Sequence, residues 1–323
     1  MKYPVLKIVA LIFAGACAMS THASSGSIGT YNLILLEDYN FQGGDVEGKA
    51  LIGGNLNGSG QAVEFGSRLP DTDSAIDAVT IVGDIKANHV TIQNGNNLVY
   101  GSNSSNANVN LNGSGGSATQ APQAVLDAEI DAVFAEIYNE SLYYNSLSAT
   151  GVFSGPGNQA ELLYTGTQSV AVFNVNASDI FAQNNSLSLQ QASASTVVIN
   201  VAGIDITAGG GVNLNNGFSQ QTATNIVWNF FEATDIDFNN LAMKGSVLAP
   251  YANTTGGASF DGAFAAVSYT GAREFHNFLF DYETPAPKPP TVLVSAPTSA
   301  ALFGLAFGLL ILTRRKKYQT KQA

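Results

Sequence analysis

The sequence predicts a mainly β protein, an irregular β-solenoid with one long flanking α-helix, and three observations favour this fold. Short β-branched runs recur between turn-forming residues, with starts roughly 7 to 11 residues apart where they follow one another. Asn and Gly occupy the breaks, as tight corners and Asn ladders require. One apolar stripe with helical spacing interrupts the β pattern. A β-sandwich is the alternative, because the spacing of the runs fits both folds.

The β runs are shorter than typical sandwich strands, which favours the short rungs of a solenoid. They lie at residues 79–82, 90–92, 98–100, 109–111, 197–201, 204–206 and 212–214. No fixed-length repeat connects them, so the predicted solenoid is irregular.

The long helix is predicted over residues 122–147, where Pro122 suits the first turn. One buried stripe is expected at Leu126, Ile130, Val133 and Ile137. The acidic residues of this segment are expected on other, solvated faces of the helix: Asp127, Glu129, Asp131, Glu136 and Glu140.

The N-terminus reads as an export signal. Residues 1–23 predict a signal peptide, with Lys2 and Lys7 before the apolar stretch 8–16 and a small-residue cleavage site that ends at Ala23. Cleavage there would remove Cys17, the only cysteine of the chain, so the exported protein is expected to form no disulfide. The β domain is predicted over residues 24–283.

The C-terminus predicts a second targeting segment. A Pro-rich spacer at 284–291 precedes a hydrophobic sorting or anchor segment at 292–323 with a basic end. The basic cluster is expected to stay cytoplasmic, which places the β domain outside the inner membrane. The layout resembles a variant of the PEP-CTERM sorting tails that exosortases process in Gram-negative bacteria, and a retained membrane anchor is the alternative. The residues that carry this signal are Ser295, Ala296, Pro297, Arg314, Arg315, Lys316 and Lys317.

The charge distribution argues against a nucleic-acid partner. The chain has 24 acidic and 13 basic residues. Every acidic residue lies between Glu37 and Glu283, whereas most basic residues lie outside that range. The β domain is therefore more acidic than the whole-chain net charge of −11 suggests, and it would repel phosphate backbones.

Several short segments resemble the choice-of-anchor A domain, in the order in which that family shows them and over about residues 28–280. The residues that carry the resemblance are Asp45, Val46, Glu47, Gly48, Gly53, Gly54, Asn55, Val247, Leu248, Ala249 and Pro250. The resemblance implies a solenoid like that of ice-binding-like adhesive domains, displayed on cell surfaces through varied C-terminal anchors. The fold prediction is accordingly an irregular right-handed parallel β-solenoid.

The chain offers little for catalysis. After signal cleavage, His89 and His276 are the only histidines, and the body contains no Gly-x-Ser-x-Gly or His-Glu-x-x-His motif. A carboxylate-dependent polysaccharide-active enzyme could use Asp235 and Asp237, or the acidic loop described next. We expect no catalytic residues and no enzyme activity.

Three further site hypotheses come from loops and aromatic residues. Asp71, Asp73 and Asp77 are weak candidates for a Ca²⁺ site, although their spacing departs from the calcium-loop pattern, and no other cofactor is expected. The aromatic rings of Trp228, Tyr143 and Tyr144 could stack on sugars. Their sequence positions are more typical of side chains in or against the hydrophobic core. Ice binding requires a regular Thr face, and the Thr pairs at 165/167 and 222/224 look isolated.

The functional prediction is a non-enzymatic adhesin-like protein of the cell surface or biofilm matrix. Expected partners are extracellular polysaccharide or cell-surface material, an exosortase-type processing enzyme, and the inner membrane through the C-terminal segment. A β-helical polysaccharide-active enzyme and an ice-binding protein are the alternatives. Export, the spacer and the small catalytic inventory favour display over turnover.

Overall fold

The structure is a computed structural model that describes residues 27–58, 62–71, 76–155 and 158–282. All of these residues belong to one compact unit that ends at Thr284. The predicted signal peptide, Pro-rich spacer and sorting segment lie outside the described residues.

Short strands make up most of this unit. The strands are β1 Leu33–Leu35, β2 Tyr39–Gly43, β3 Asp45–Val46, β4 Ala50–Ile52, β5 Leu56–Gly58, β6 Ala62–Phe65, β7 Asp77–Asp84, β8 His89–Ile92, β9 Asn97–Ser102, β10 Asn108–Leu111, β11 Ala118–Gln120, β12 Val152–Ser154, β13 Ala160–Leu163, β14 Val170–Asn176, β15 Ser186–Gln190, β16 Thr196–Ala202, β17 Asp205–Thr207, β18 Asn213–Leu214, β19 Ile226–Asn229, β20 Asp235–Asp237, β21 Met243–Lys244, β22 Ser246–Thr255, β23 Ser259–Asp261, β24 Phe264–Ala272 and β25 Glu274–His276. The helices are a 3₁₀ turn at Ser27–Gly29, α1 Gln123–Ser146, α2 Ala177–Ile180 and α3 Gln220–Ala223.

The strands stack as the rungs of a parallel solenoid. The largest sheet has the order β11-β9-β7-β4-β1-β24-β22-β19-β16-β14, and β5, β2, β20 and β17 extend it along a second side. A third side has the order β10-β8-β6-β3-β25-β23-β21, with β12-β13-β15-β18 as a separate sheet. Among the described strands, only β12 and β13 pair antiparallel. The predicted parallel solenoid with one long helix is confirmed, and the β-sandwich alternative is wrong because a sandwich needs antiparallel sheets.

The chain enters the stack in its middle and closes on itself there. Strand β1 lies between β4 and β24, so the first coil of the chain pairs with the last. From β1 the chain builds one half of the stack, which ends at β11. Helix α1 then packs across the largest sheet, in contact with β7 and β22. The chain re-enters this sheet at β14 and builds the other half back to β24. Neither half therefore completes its own stack without the other.

Unequal coils explain why no repeat is visible in the sequence. Paired positions are 17 residues apart between Leu33 and Ala50 but 29 apart between Ala50 and Val79. The extra residues lie in corner loops and in the strands of the other sides, so the register of the rungs survives while the sequence period does not.

Two apolar cores hold the unit together, and the largest sheet is buried on both faces. Leu33 and Leu35 point into the solenoid interior, whereas Ile34 points toward helix α1. This is why β1 reads as a continuous hydrophobic run. The helix contributes Leu126, Ile130, Phe134 and Ile137 to the second core.

The predicted helix boundaries agree with the structure, but its buried face differs. Pro122 precedes the helix as its N-cap, and Leu147 follows as its C-cap. Phe134 is buried where Val133 was expected to be, and Val133 is only partly buried. The expectation of a solvated Glu140 is wrong, since the residue is only 5% exposed. Position 140 continues the buried stripe at helical spacing from Ile137.

An Asn ladder attaches the helix to the sheet. Asn174, Asn200 and Asn229 occupy equivalent positions of β14, β16 and β19. The Nδ2 of Asn229 donates to Asn200 Oδ1 at 2.8 Å and to Ser141 O at 3.0 Å, and its Oδ1 accepts from Ser141 Oγ at 2.7 Å. The Nδ2 of Asn200 donates to Tyr144 O at 2.9 Å. These bonds satisfy buried amides and fix the C-terminal half of the helix.

Candidate functional site

One side of the solenoid presents two aligned rows of short polar side chains, and we call it the ladder face. Strands β17, β20, β2 and β5 form it together with the C-terminal halves of β22 and β24. Alternate side chains of these strands point inward, as Tyr39 and Phe41 do, and the intervening ones point outward. The first outward row consists, in register, of Thr207, Asp237, Thr255, Thr270, Asn40 and Asn57.

The second row runs beside the first, two residues away along each strand. It contains Asp205, Asp235, Asn253 and Ser268 in register. Ser268 Oγ donates to Asn253 Oδ1 at 2.8 Å. Neighbouring strands lie about 4.8 Å apart, so the two rows form a regular grid of hydroxyl, amide and carboxylate groups.

Side-chain hydrogen bonds hold the middle of the ladder face in place. Asn40 donates through Nδ2 to Thr270 Oγ1 at 3.0 Å and accepts through Oδ1 from Asn57 Nδ2 at 2.9 Å. Asp38 accepts from Asn57 Nδ2 at 3.1 Å and from Asn55 Nδ2 at 3.0 Å. Because each group fixes its neighbour, the outward donors and acceptors are pre-organised for a ligand.

The two ends of the ladder face differ in charge. Asp205, Asp235 and Asp237 are exposed at one end, where Asp237 Oδ1 accepts from the backbone N–H of Asn239 at 2.7 Å. At the other end lies an open depression of about 360 Å³, lined by Asn40, Phe41, Gln42, Asn57, Gly58 and Lys86. The face therefore carries three exposed carboxylates at one end, and Lys86 together with the half-buried Asp38 carboxylate at the other.

The two carboxylates proposed for an enzyme, Asp235 and Asp237, lie on this exposed end. They occupy one strand with Ile236 between them, and Thr234 Oγ1 donates to Asp235 Oδ2 at 3.1 Å. Residues two apart on a strand point to the same side without enclosing a substrate.

Residues 45–48 of the sequence motif lie where the first coil meets the last. Glu47 accepts from the backbone N–H of Asn277 at 3.0 Å and contacts Arg68 Nε at 3.4 Å. A Cβ at Gly48 would approach Asn277 Oδ1 to 2.4 Å, and one at Gly53 would approach Leu36 O to 2.1 Å. These glycines permit the close approach of two coils.

Asp45 and Val46 belong to this junction, whereas the other motif residues lie between neighbouring coils or in β22. Burial, followed by the nearby carboxylate of Glu274, raises the pKa of Asp45, while Ser67 Oγ donates to Asp45 Oδ2 at 3.3 Å. Val46 is buried and pairs with β25, and Asn55 bonds to Asp38 in the ladder face. Gly54 lies against Asp38, where a Cβ would approach Oδ1 to 2.4 Å. The four residues of the second motif segment are buried in β22: Val247, Leu248, Ala249 and Pro250.

A buried ion cluster lies on the third side of the solenoid. Asp261 is fully buried and receives Lys244 Nζ on one oxygen and His276 Nδ1, at 2.5 Å, on the other. His276 Nε2 contacts Glu274 Oε2 at 3.1 Å. Burial opposes the charge of His276, but its hydrogen bonds to Asp261 and Glu274 raise its pKa overall. The other histidine, His89, is exposed on β8.

The proposed calcium loop is only partly described. Asp71 is exposed, Asp73 lies outside the described residues, and Asp77 accepts from Asn97 Nδ2 at 3.0 Å. Within the described ranges, no group of three or more His, Cys, Asp or Glu side chains is placed to hold a metal ion. The calcium site stays a prediction.

The aromatic residues named from the sequence are placed mainly in the cores. Trp228 is fully buried and donates through Nε1 to Lys244 O at 2.8 Å, and Tyr144 is also buried. Tyr143 is partly buried beside helix α1. Tyr138 and Tyr251 instead form an aromatic contact at the surface. Their ring centroids are 5.2 Å apart, and Tyr251 is 45% exposed.

Sequence reasoning missed the ladder face. Its threonines, Thr207, Thr255 and Thr270, are far apart in the chain, and the pairs at 165/167 and 222/224 that were considered lie elsewhere. Alternating polar residues at 253/255 and 235/237 were the available signal. The residues of the sorting signal lie outside the described part of the chain. In the part that the structure describes, no helix is both long and apolar enough to cross a membrane.

Comparison with known proteins gives a family and two distant structural likenesses. The family model "Putative Ice-binding-like adhesive domain" matches residues 24–277. The DUF3494 domain of ice-binding protein 1 from Shewanella frigidimarina is 15% identical, with a TM-score of 0.35 over 78% of this chain and 94% of that one. An ice-binding protein from an Antarctic Flavobacteriaceae bacterium is 13% identical, with a TM-score of 0.22 over 80% of each chain. No curated protein matches the chain.

Proposed function

Since the chain belongs to the family of ice-binding-like adhesive domains, we propose that it is a non-enzymatic adhesin-like protein of the cell surface or biofilm matrix. Its ladder face binds extracellular polysaccharide or other cell-surface material. The observation that carries this proposal is the first row of the face, from Thr207 to Asn57, with its hydrogen-bonded centre.

The chemistry of the ladder face suits a polyhydroxylated ligand. Amide and hydroxyl groups each donate and accept, so they can pair with sugar hydroxyls directly or through water. The side chains are short and several are already fixed by neighbours, which lowers the entropy lost on binding. A long linear ligand could bind many weak sites along one grid, and its total affinity would then grow with length.

Export and sorting complete the proposed role. The signal peptide at 1–23 and the tail at 292–323 direct the β domain out of the cytoplasm, and an exosortase-type enzyme processes the tail near Ala296 and Pro297. In this proposal the chain is a choice-of-anchor A protein with a PEP-CTERM-like tail. Intact-mass measurement of surface material tests the tail: a mass without Arg314–Lys317 supports sorting, and a mass that includes them indicates a retained inner-membrane anchor.

The binding test uses paired substitutions on the ladder face. Asn57→Ala with Thr270→Val should lower the affinity for polysaccharide purified from the producing bacterium at least tenfold, because both ends of the Asn40 network lose partners. Asn213→Ala, an exposed position on β18, is the matched control and should bind like the parent. Deletion of the gene should reduce attachment in biofilm assays. If the parent hydrolyses the polysaccharide and the double substitution Asp235→Asn with Asp237→Asn abolishes this hydrolysis, the protein is an enzyme instead.

Ice binding is the second candidate, because three threonines occupy one row of the ladder face. The exposed carboxylates at its end argue against this reading, since charged groups hold their own hydration shells strongly. Thermal hysteresis measurements separate the two functions. Hysteresis that disappears in Thr255→Ala with Thr270→Ala, together with absent polysaccharide binding, would select the ice-binding function.

A further inference from the structure

The two ends of the solenoid differ in how their strand edges are covered. At the end formed by β14, the backbone N–H groups of Thr150 and Gly151 both donate to Val172 O at 2.9 Å, and Thr150 Oγ1 accepts from Val172 N at 3.0 Å. On the neighbouring side, β12 pairs antiparallel with β13. The chain's own backbone therefore covers β14 at Val172, although β12 itself pairs only with β13 among the described strands.

The opposite end, which we call the open end, consists of β10, β11 and the loops 103–107 and 112–117. Among the described strands, β10 pairs only with β8 and β11 only with β9. Asn108 N and Asn112 N donate to Asn88 O and Ile92 O, so the backbone groups of the alternating residues Val109 and Leu111 point away from β8.

The same geometry holds for β11. The carbonyl of Ser117 accepts from Leu98 N and the N–H of Ala121 donates to Tyr100 O, so the backbone groups of Ala118 and Gln120 point outward. All three residues of β11 are exposed. Two sides of the open end thus present strand edges that are able to accept another strand.

The interior core also reaches this end without a complete cover. Tyr100, Ala107, Val109 and Leu111 pack against the interior core but are only partly buried. Apolar side chains that line an unpaired edge gain stabilisation when a second surface removes them from water.

Charge decides which partner fits. Residues 101–126 contain no Asp, Glu, Lys or Arg, in a chain that has 24 acidic residues and a net charge of −11. Natural edge strands are usually protected by charged side chains, but β10 and β11 contain none. Two copies of the chain would repel each other along their acidic sides, whereas residues 101–126 of the open end add no charge and the nearby Asp84 carboxylate is engaged by Ser104.

We propose that the open end binds the open end of a second copy of this chain. The two copies are related by a two-fold axis, so that β11 of one copy lies antiparallel beside β11 of the other. An isologous contact of this kind uses the same surface on both copies. Because this two-fold contact occupies the open end of both copies, the association stops at a dimer and does not continue into a fibre.

Cysteine cross-linking in the full-length chain tests the geometry. The background variant is Cys17→Ser, which removes the only cysteine. In this background, Thr119→Cys on β11 should form a disulfide-linked product of twice the chain mass after mild oxidation, because a residue near a two-fold axis faces its own equivalent. Ser154→Cys, an exposed position on β12 at the opposite end, is the matched control and should stay monomeric.

A second measurement covers the case in which the cysteine variant misfolds. The parent chain should sediment as a dimer, and Asn110→Glu with Thr119→Glu should raise the dimer dissociation constant at least tenfold. The variant's melting temperature should match that of the parent when both are measured below the parent's dissociation constant, where both are monomers. Ser154→Glu should leave the dimer intact. A parent chain that stays monomeric at its solubility limit, equal cross-linking at both ends, or a cross-link from Thr119→Cys to a different protein would each overturn the proposal.

Discussion

Glu140 is a carboxyl group that helix α1 buries against the N-terminal turn. Its Oε1 accepts from Ser27 N at 3.0 Å, and its Oε2 is buried without a hydrogen-bond partner among the described residues. Burial raises the pKa of Glu140 to about 8, with the neighbouring Glu136 adding to the rise. The side chain is therefore held mainly in its protonated form at neutral pH, although the same group ionises readily in the unfolded chain.

We predict that Glu140→Gln stabilises the protein at neutral pH. The folded-state pKa lies above the unfolded value of 4.5, so the folded state binds the extra proton and stability falls as pH rises from 4.5 to 8. At pH 7 this costs about 3 kcal/mol, and a neutral amide of similar shape removes most of it. Thermal unfolding at pH 5 and pH 8 measures the effect, with the exposed Asp131→Asn on the same helix as control. An equal change at both pH values would contradict the prediction.

Single residues also show where sequence reasoning succeeds and fails. The core position of Trp228 follows from its apolar neighbours, because such a run is rarely exposed. Glu140 was misassigned because a carboxylate is normally solvated, even though helical spacing from Ile137 places it in the buried stripe. The charge of Glu140 predicted an exposed side chain, whereas its helical spacing predicted a buried one, and the helical spacing was correct.

At the scale of elements, the Asn ladder links helix α1 to three strands. We predict that Asn229→Ala lowers the unfolding free energy by roughly 2 to 4 kcal/mol, because it leaves buried groups of Ser141 and Asn200 without a partner. The hydrogen-exchange rate should increase more in the C-terminal half of helix α1 than in β16. Asn213→Ala, an exposed amide, is the control and should change neither quantity. Uniform acceleration across all strands would argue against a local attachment.

The elements themselves were largely predictable, but their arrangement was not. The apolar stripe and Pro122 placed the helix within one residue of its observed ends. The ladder face could not be found, because its rows join β2 to β24 and β17 to β20, and corner loops of different lengths separate those strands in the sequence. Register across a solenoid depends on which strands pair, which a sequence without a fixed period does not state.

The whole molecule depends on the junction between its first and last coils. Asn32 is fully buried there, donates through Nδ2 to Gly262 O at 3.0 Å and His276 O at 3.1 Å, and accepts from Gly48 N at 3.0 Å. We predict that Asn32→Ala lowers the unfolding free energy by roughly 2 to 4 kcal/mol, because Gly262 O and Gly48 N lose the side chain that they bond to. Exchange protection should fall on both sides of the junction, in β4 and in β22. Loss confined to the N-terminal coil would show that the two halves are independent.

The stability of the whole molecule should fall from acidic to alkaline pH. Burial raises the pKa values of Asp45 and Glu140, and the hydrogen bonds of His276 to Asp261 and Glu274 raise its pKa despite burial. For the two acids, the folded state holds a proton that the unfolded state releases, so stability is lost as pH rises from the unfolded value through the folded one. For His276, the stabilising charge is complete below 6.5 and is lost as pH rises through its higher folded pKa. All three contributions have the same sign.

Net charge adds to this trend, because the chain carries −11 at pH 7 and becomes more negative as these groups ionise. We therefore predict a melting temperature that declines from pH 5 to pH 9, and a partial recovery at pH 9 in about 1 M NaCl, where the Debye length falls to about 3 Å. Calorimetry of the parent and of Glu140→Gln with His276→Gln checks the cause. The double variant should show a flatter pH profile with the same salt response, since salt acts on the remaining surface charge. A melting temperature that rises between pH 5 and pH 9 in the parent would contradict the assigned signs.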